Sequence, residues 1–103
     1  MTLDELIRAL EAEDPARILR RGFCNPHSYR GYYRELAFEP TPNVTVGEML
    51  ADAVSARGET FEGWKGGDFT MDGGTDCWLS LEGYASGETL GRTLLSYMLE
   101  DAV

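Results

Sequence analysis

The sequence predicts an α+β fold, in which an antiparallel sheet of about four to five strands carries two or three helices. Two capping boxes, Thr2 with Glu5 and Thr45 with Glu48, each precede apolar residues at helical spacing. Segments in which polar and apolar residues alternate, bounded by glycine and proline, predict strands between the helices. The order helix, two strands, helix, three strands, helix is typical of helices packed on an antiparallel sheet.

Length and composition indicate one ordinary globular domain spanning residues 1–103. The apolar fraction is 43%, which is enough for a modest core without disulfides or metal. No apolar run approaches the roughly 20 residues that a membrane helix needs. The acidic N-terminus lacks the basic start of a secretory signal, so we expect a cytoplasmic protein. In that compartment the two cysteines, Cys24 and Cys77, are expected to be reduced thiols.

The N-terminal helix is indicated by one apolar stripe at i, i+3, i+4 and i+7, formed by Leu3, Leu6, Ile7 and Leu10. Asp14 and Pro15 end it, because a residue before proline avoids the helical region. We interpret residues 16–23 as a strand with Ile18 buried. A short second helix with Pro15 in its first turn is the alternative.

A polar loop and a second strand are predicted next. Residues 25–31 lack hydrophobic periodicity and are rich in turn-forming residues. Residues 32–39 alternate in character and are predicted to form a strand, which Pro40 and Pro42 stop.

The middle of the chain contains the clearest helix. Its apolar stripe consists of Val46, Met49, Leu50, Ala53 and Val54. Gly58 is a natural residue for the end of this helix. A short extended piece follows at residues 61–64, overlapping a glycine-rich loop at residues 63–67.

The last third is predicted to form a hairpin and a helix. Residues 68–71 and 76–82 flank a turn at residues 72–75, whose glycines permit positive φ. The final helix is predicted to start near Ser86 or Gly87. Its apolar set is broader than one packed face needs and predicts a homodimer or higher oligomer: Leu90, Leu94, Leu95, Tyr97, Met98 and Leu99.

The net charge of −9 is spread unevenly. Residues 15–34 contain five arginines and no acid, whereas the flanking segments are strongly acidic. The overall charge argues against direct nucleic-acid binding and against an anionic membrane. The arginine-rich segment is instead where an anionic ligand would be attracted, although ion pairs with surface carboxylates explain the arginines equally well.

Metal binding and catalysis have weak support. Cys24 and His27 have a ligand-like spacing but lack the second ligand pair that zinc sites use, and we expect no metal or other cofactor. The neighbours His27 and Ser28 rarely give a base–nucleophile geometry, and the chain contains no nucleophile elbow or phosphate-binding loop. The sequence therefore favours a binding protein over an enzyme.

The candidate ligand site combines polar, aromatic and basic side chains from the loop at 25–31 and the loop at 63–67. Arg30, the principal anchor, and Lys65 would contact phosphates, while aromatic rings would stack on a base. Asn25 and His27 would orient polar edges of the ligand. The complete set is Asn25, His27, Tyr29, Arg30, Trp64 and Lys65. Trp78 is either a further member or a core residue.

Four segments of the sequence resemble signatures of small proteins that bacteriophages and prophages encode. They are NPHSYRGYY at 25–33, LAFEP at 36–40, WKGGDFTM at 64–71 and TDCW at 75–78. The resemblance covers nearly the whole chain, and the family has no firmly assigned activity. It implies a phage setting in the host cytoplasm, where small acidic proteins often counteract host defence.

This setting suggests two kinds of partner. The first is a small anionic nucleotide-like ligand, which the protein would sequester without converting it. The second is a host defence protein, which an anti-CRISPR-like inhibitor would block by using its acidic surface as a nucleic-acid mimic. A small hydrolase is a third, weaker interpretation.

Overall fold

A computed structural model of the chain describes residues 1–29, 35–62, 68–81 and 86–103. Three helices are present in these ranges: α1 (Leu3–Glu11), α2 (Val46–Ala56) and α3 (Arg92–Glu100). Six strands accompany them: β1 (Ile18–Ser28), β2 (Leu36–Thr45), β3 (Thr60–Glu62), β4 (Asp68–Thr70), β5 (Cys77–Leu81) and β6 (Ser86–Thr89). No helix among the described residues has the length and apolar character needed to cross a membrane.

The predicted α+β class is confirmed. A four-stranded sheet has the order β1-β2-β5-β6, and β3 and β4 form a separate antiparallel ribbon. The β1–β2 and β5–β6 pairs are antiparallel, but β2 and β5 run parallel, so the main sheet is mixed. A parallel pair needs a long crossover, and here the crossover contains α2 and the β3–β4 ribbon.

Both predicted capping boxes are present. The Thr2 hydroxyl accepts a hydrogen bond from the Glu5 amide, and Thr45 does the same for Glu48. In both boxes the glutamate side chain also accepts from the backbone amide of the capping threonine. Hydrogen bonds from the backbone amide and the side chain of Thr2 lower the pKa of the Glu5 carboxyl, since they favour its charged form. Gly58 follows α2 with φ at +87°, as a glycine after a helix often does.

One hydrophobic core joins the helices to one face of the main sheet. Its sheet residues include Phe23, Phe38 and Leu79, and the Phe23 and Phe38 rings lie 4.5 Å apart. Its helical members are Leu3, Leu6, Ile7, Leu10, Val46, Met49, Ala53, Ala56, Leu95 and Met98. The core thus sits between the sheet and all three helices.

The prediction that Pro40 and Pro42 stop the second strand is wrong. They lie within β2, opposite Phe23 and Arg21 of β1. β2 pairs with β5 only over Leu36–Phe38, so at the prolines β2 has a hydrogen-bonded neighbour on one side only. Proline lacks an N–H and is tolerated where a strand is an edge.

The predicted hairpin around residues 72–75 is also wrong. β4 pairs with β3, whereas β5 pairs with β2 and β6. The intervening turn docks on the start of α1: the Gly73 and Thr75 carbonyls accept hydrogen bonds from the amides of Asp4 and Leu3. The first amides of a helix lack intrahelical partners, so the turn satisfies them and directs the chain away from β4.

The final helix starts later than predicted. α3 begins at Arg92 with Gly91 as its N-cap, and the preceding residues form the edge strand β6 instead. Tyr97 is 67% exposed, while Leu95 and Met98 are buried. Part of the apolar set therefore faces outward, and the homodimer stays a prediction.

Candidate functional site

The predicted loop at 25–31 is largely part of a strand. β1 continues to Ser28, and its pairing with β2 shifts by one residue between Cys24 and His27, which marks a β-bulge. Asn25 occupies this bulge with φ at +50°, a conformation that asparagine tolerates better than most residues. The prediction of a loop at residues 25–28 is therefore wrong. The bulge explains why the local sequence resembles a turn.

His27 is held by two hydrogen bonds within the fold. Its Nδ1 lies 3.0 Å from the Asn25 carbonyl oxygen, and its Nε2 lies 3.0 Å from the Ser80 hydroxyl. Because a carbonyl only accepts, Nδ1 donates to the Asn25 oxygen, and the Ser80 hydroxyl is the partner of Nε2. The imidazole thus ties β1 to β5 across the intervening β2.

Tyr29 and Trp78 form an aromatic pair beside His27. Their ring centroids are 4.4 Å apart, and Tyr29 is 8% exposed. No described residue accepts a hydrogen bond from the buried indole Nε1 of Trp78. We define the second-face cluster as His27, Tyr29, Trp78 and Ser80. His27 and Trp78 flank Ala37 across the sheet, whereas the neighbouring β5 residues point into the core. The cluster is therefore assigned to the face of the sheet opposite the core.

The structure therefore brings Asn25, His27 and Tyr29 together, with Trp78 beside them. His27 and Tyr29 make contacts within the fold rather than standing free for a ligand. Three other predicted site residues, Arg30, Trp64 and Lys65, lie outside the described residues.

The described residues form a groove beside α3. Its volume is about 610 Å³, and it lies between α3 and the region where β1 and β2 pair. The lining is mainly apolar and includes Gly22, Pro40, Pro42, Leu79, Leu94 and Met98. We call this surface the α3 groove.

Charged residues stand along one side of the α3 groove. Arg20, Arg21 and Asp101 line it together with the exposed ring of Tyr97. Arg20 Nη1 lies 3.4 Å from Asp101 Oδ1, in a pair that remains well exposed to solvent. Arg21 is exposed and forms no ion pair with any residue that the structure describes.

The C-terminal residues fix α3 against the sheet and so shape the groove. The Arg20 amide donates to the Asp101 carbonyl, and the Val103 amide donates to the Ile18 carbonyl. Leu19 and Ala102 form an antiparallel bridge between these bonds. The end of the chain thus extends the sheet beside β1 and holds one wall of the groove in place.

Sequence reasoning did not select Arg20 and Arg21 as site residues, although it singled out the arginine-rich segment. The signal that could have found them was the absence of acids among residues 15–34. The groove could not be predicted while Pro40 and Pro42 were interpreted as the end of the strand. Both prolines line the groove, and they do so as part of β2, which continues to Thr45.

The chain has no match among protein-family models, among curated proteins or among solved structures. A functional assignment therefore depends on the geometry and charge of the sites described above.

The two cysteines are free thiols in different surroundings. Cys24 is half-buried, and its sulfur lies 2.6 Å from the Thr41 hydroxyl. Burial raises the pKa of the Cys77 thiol to about 12, helped by the Asp76 carboxylate and opposed by the N-terminal ammonium. Among the described residues, no group of three or more histidine, cysteine or acidic side chains is placed to hold a metal ion.

Cys77 is expected to make stability fall at high pH. An unfolded thiol titrates near pH ~8.5, whereas burial keeps the Cys77 thiol neutral to about 12 in the folded state. Its contribution is complete below pH ~8.5, and about 2 kcal/mol is lost by pH ~10 because only the unfolded chain releases its proton. Urea unfolding of the wild type and of Cys77→Ala at both pH values measures this difference. Equal pH slopes for the two proteins would contradict it.

Proposed function

We propose that the protein is a non-enzymatic binding protein that sequesters a small anionic, nucleotide-like ligand in the α3 groove. The observation that carries the proposal is the position of two arginines beside an apolar groove on a protein of net charge −9. Guanidinium groups bind phosphate and carboxylate oxygens in a fixed fork. Apolar walls accept the body of the same ligand.

The size and lining of the groove suit a nucleotide-sized molecule. Ligand pockets commonly have volumes of roughly 300–1,000 Å³ and apolar walls with a few polar groups, and the α3 groove measures about 610 Å³. Tyr97 is 67% exposed at its edge and offers a ring on which a base can stack. Leu94 and Met98 provide the apolar surface next to that ring.

The position of the His27–Ser80 hydrogen bond supports binding rather than hydrolysis. This pair resembles a base and a nucleophile, but Ser80 is only 3% exposed. Leu79 lines the α3 groove, and successive strand residues point to opposite faces. The Ser80 hydroxyl therefore lies on the other side of the sheet from a ligand in the groove.

In this proposal the protein acts as a phage-type counter-defence factor in the cytoplasm of the host. The ligand would be an anionic signal or metabolite, and binding alone would remove it from its receptor. Mass action then requires the protein to be at least as abundant as the ligand.

The alternative function, inhibition of a host defence protein by an acidic surface, has one observation in its favour. Glu35, Asp72 and Asp76 line a cleft of about 300 Å³ near the turn at residues 72–75. A basic partner could contact these carboxylates, and its affinity would fall steeply as salt is raised.

Ligand release tests the proposed function. Purified protein is incubated with a small-molecule extract of bacterial cells, washed, heat-denatured and analysed by mass spectrometry. We expect an intact anionic compound from the wild type and about 10-fold less from Arg21→Ala, since a charge-assisted contact contributes about 1.5–3 kcal/mol.

Arg8→Ala is the matched control, because Arg8 is an exposed arginine on α1 and does not line the α3 groove. It should release as much compound as the wild type. Release of a chemically altered compound would indicate an enzyme. Equal release from the wild type and Arg21→Ala would show that the ligand does not bind in the α3 groove. Salt-sensitive capture of a basic protein would favour inhibition of a host defence protein.

A further inference from the structure

The charges that line the α3 groove sum to a small positive value. Arg20 and Arg21 contribute two positive charges and Asp101 one negative charge, so the charged lining is +1. The rest of the chain is acidic. A ligand with several negative charges would therefore find few cations here and would be repelled by the body of the protein.

Asp101 is fixed where it competes for Arg20. Its amide donates to the Met98 and Tyr97 carbonyls, and its carbonyl accepts from the Arg20 amide. These bonds fix the backbone of Asp101, and its carboxylate lies 3.4 Å from the Arg20 guanidinium. Arg21 is consequently the one arginine of the groove that is not engaged by a described carboxylate.

The apolar lining adds a second constraint. Pro40, Pro42, Leu94 and Met98 present no hydrogen-bonding side-chain groups to a ligand. A charge placed against such walls loses hydration without gaining a partner, which is unfavourable. The part of a ligand that lies beside Arg20 and Arg21 can carry charge at the lowest cost.

We infer that the α3 groove selects a ligand with a single negative charge, such as a phosphodiester or a carboxylate, joined to a flat and largely apolar body. This inference rests on the proposed function and narrows its ligand class. Nucleoside monophosphates with two charges bind less well, and polyphosphates bind least. The anionic group lies beside Arg21, and the flat body lies between Tyr97 and the prolines.

A charge series on one nucleoside tests this inference by isothermal titration calorimetry. Adenosine, adenosine 3′,5′-cyclic monophosphate, adenosine 5′-monophosphate and adenosine triphosphate share a base and a ribose but differ in charge. We expect the cyclic monophosphate to bind at least about 3-fold more tightly than each of the others. 2-Naphthoate carries one carboxylate on a flat apolar ring and tests whether the groove accepts a singly charged ligand that is not a nucleotide.

The outcomes separate the inference from the proposed function. Tightest binding of the triphosphate would leave the binding function standing and overturn the single-charge inference. Binding of naphthoate without any of the nucleotides would support the inference and contradict the nucleotide-like part of the proposed function. If none of the five compounds binds, the proposed function is wrong and the inference falls with it.

Asp101→Asn provides a test within the protein. It raises the net charge of the groove lining from +1 to +2. Loss of an exposed ion pair should barely affect the stability of the fold. We expect affinity for adenosine 5′-monophosphate to rise about 2- to 5-fold and affinity for adenosine to stay unchanged. Glu100→Gln is the matched control, since Glu100 is exposed, neighbours Asp101 and does not line the groove. Equal effects of the two variants would overturn the role of Asp101.

Discussion

Phe38→Ala is expected to lower the free energy of unfolding by about 3–5 kcal/mol, because it removes a large side chain from the centre of the core. Phe38 is 0% exposed and packs on the Phe23 ring at a centroid distance of 4.5 Å. It also lies where β2 pairs with β5, opposite Leu79. A cavity there would lie beside the paired strands, and its surroundings would relax only partly.

Val54→Ala is the control for this prediction. Val54 is 44% exposed on α2, and surface substitutions usually change stability by about 0.5 kcal/mol or less. Chemical denaturation followed by circular dichroism measures both variants. Similar losses for Phe38→Ala and Val54→Ala would show that the sheet does not pack as described.

Gly22→Ala is the second substitution with a large expected effect, a loss of about 1–3 kcal/mol from overpacking. A β-carbon at position 22 would overlap the Val44 Cγ1 atom and lie 2.9 Å from the Met49 sulfur. Methionine can change its rotamer, but a β-branched valine in a strand has few alternatives. Val44 is 4% exposed and belongs to the hydrophobic core.

Gly91→Ala is the matched glycine control. A β-carbon there meets nothing within 4 Å, and the φ of Gly91 is −111°, which any residue can adopt. We expect a change below about 1 kcal/mol from the weaker N-cap. The thermal midpoints of the two variants give the comparison, and a larger loss for Gly91→Ala than for Gly22→Ala would contradict the packing around β1.

Local signals in the sequence predicted the first two helices well. The capping boxes at Thr2 and Thr45 and the stripes that follow them depend only on neighbouring residues, and both helices form as expected. Of the strand predicted at residues 32–39, Leu36–Glu39 appear as the start of β2. Such features need no knowledge of distant parts of the chain.

Features that depend on distant contacts could not be predicted in this way. The parallel pairing of β2 with β5 joins segments about 40 residues apart. Pro40 and Pro42 are compatible with a strand only because β2 lacks a second neighbour there, which the sequence does not reveal. The turn at residues 72–75 has the composition of a hairpin turn, but its carbonyls accept hydrogen bonds from the first amides of α1.

The candidate site was missed for the same reason. Arg20 and Arg21 are near Tyr97 only because α3 folds back on the β1–β2 pair and the C-terminal residues bridge to Leu19. His27 and Ser80, which are 53 residues apart, meet across the sheet. Charge composition singled out the arginine-rich segment, two of whose residues line the groove, but the groove is a product of tertiary structure.

The central claim is that an anionic ligand binds in the α3 groove rather than at the second-face cluster. Titration of ¹⁵N-labelled protein with adenosine 3′,5′-cyclic monophosphate, followed by amide chemical shifts, tests it most directly. We predict that the largest shifts occur at Arg21, Gly22, Thr41 and Tyr97, and that Arg21→Ala weakens the binding that they report about 10-fold. Shifts confined to Asn25, His27 and Tyr29, unchanged by Arg21→Ala, would contradict it and return the site to the stretch that the sequence first indicated.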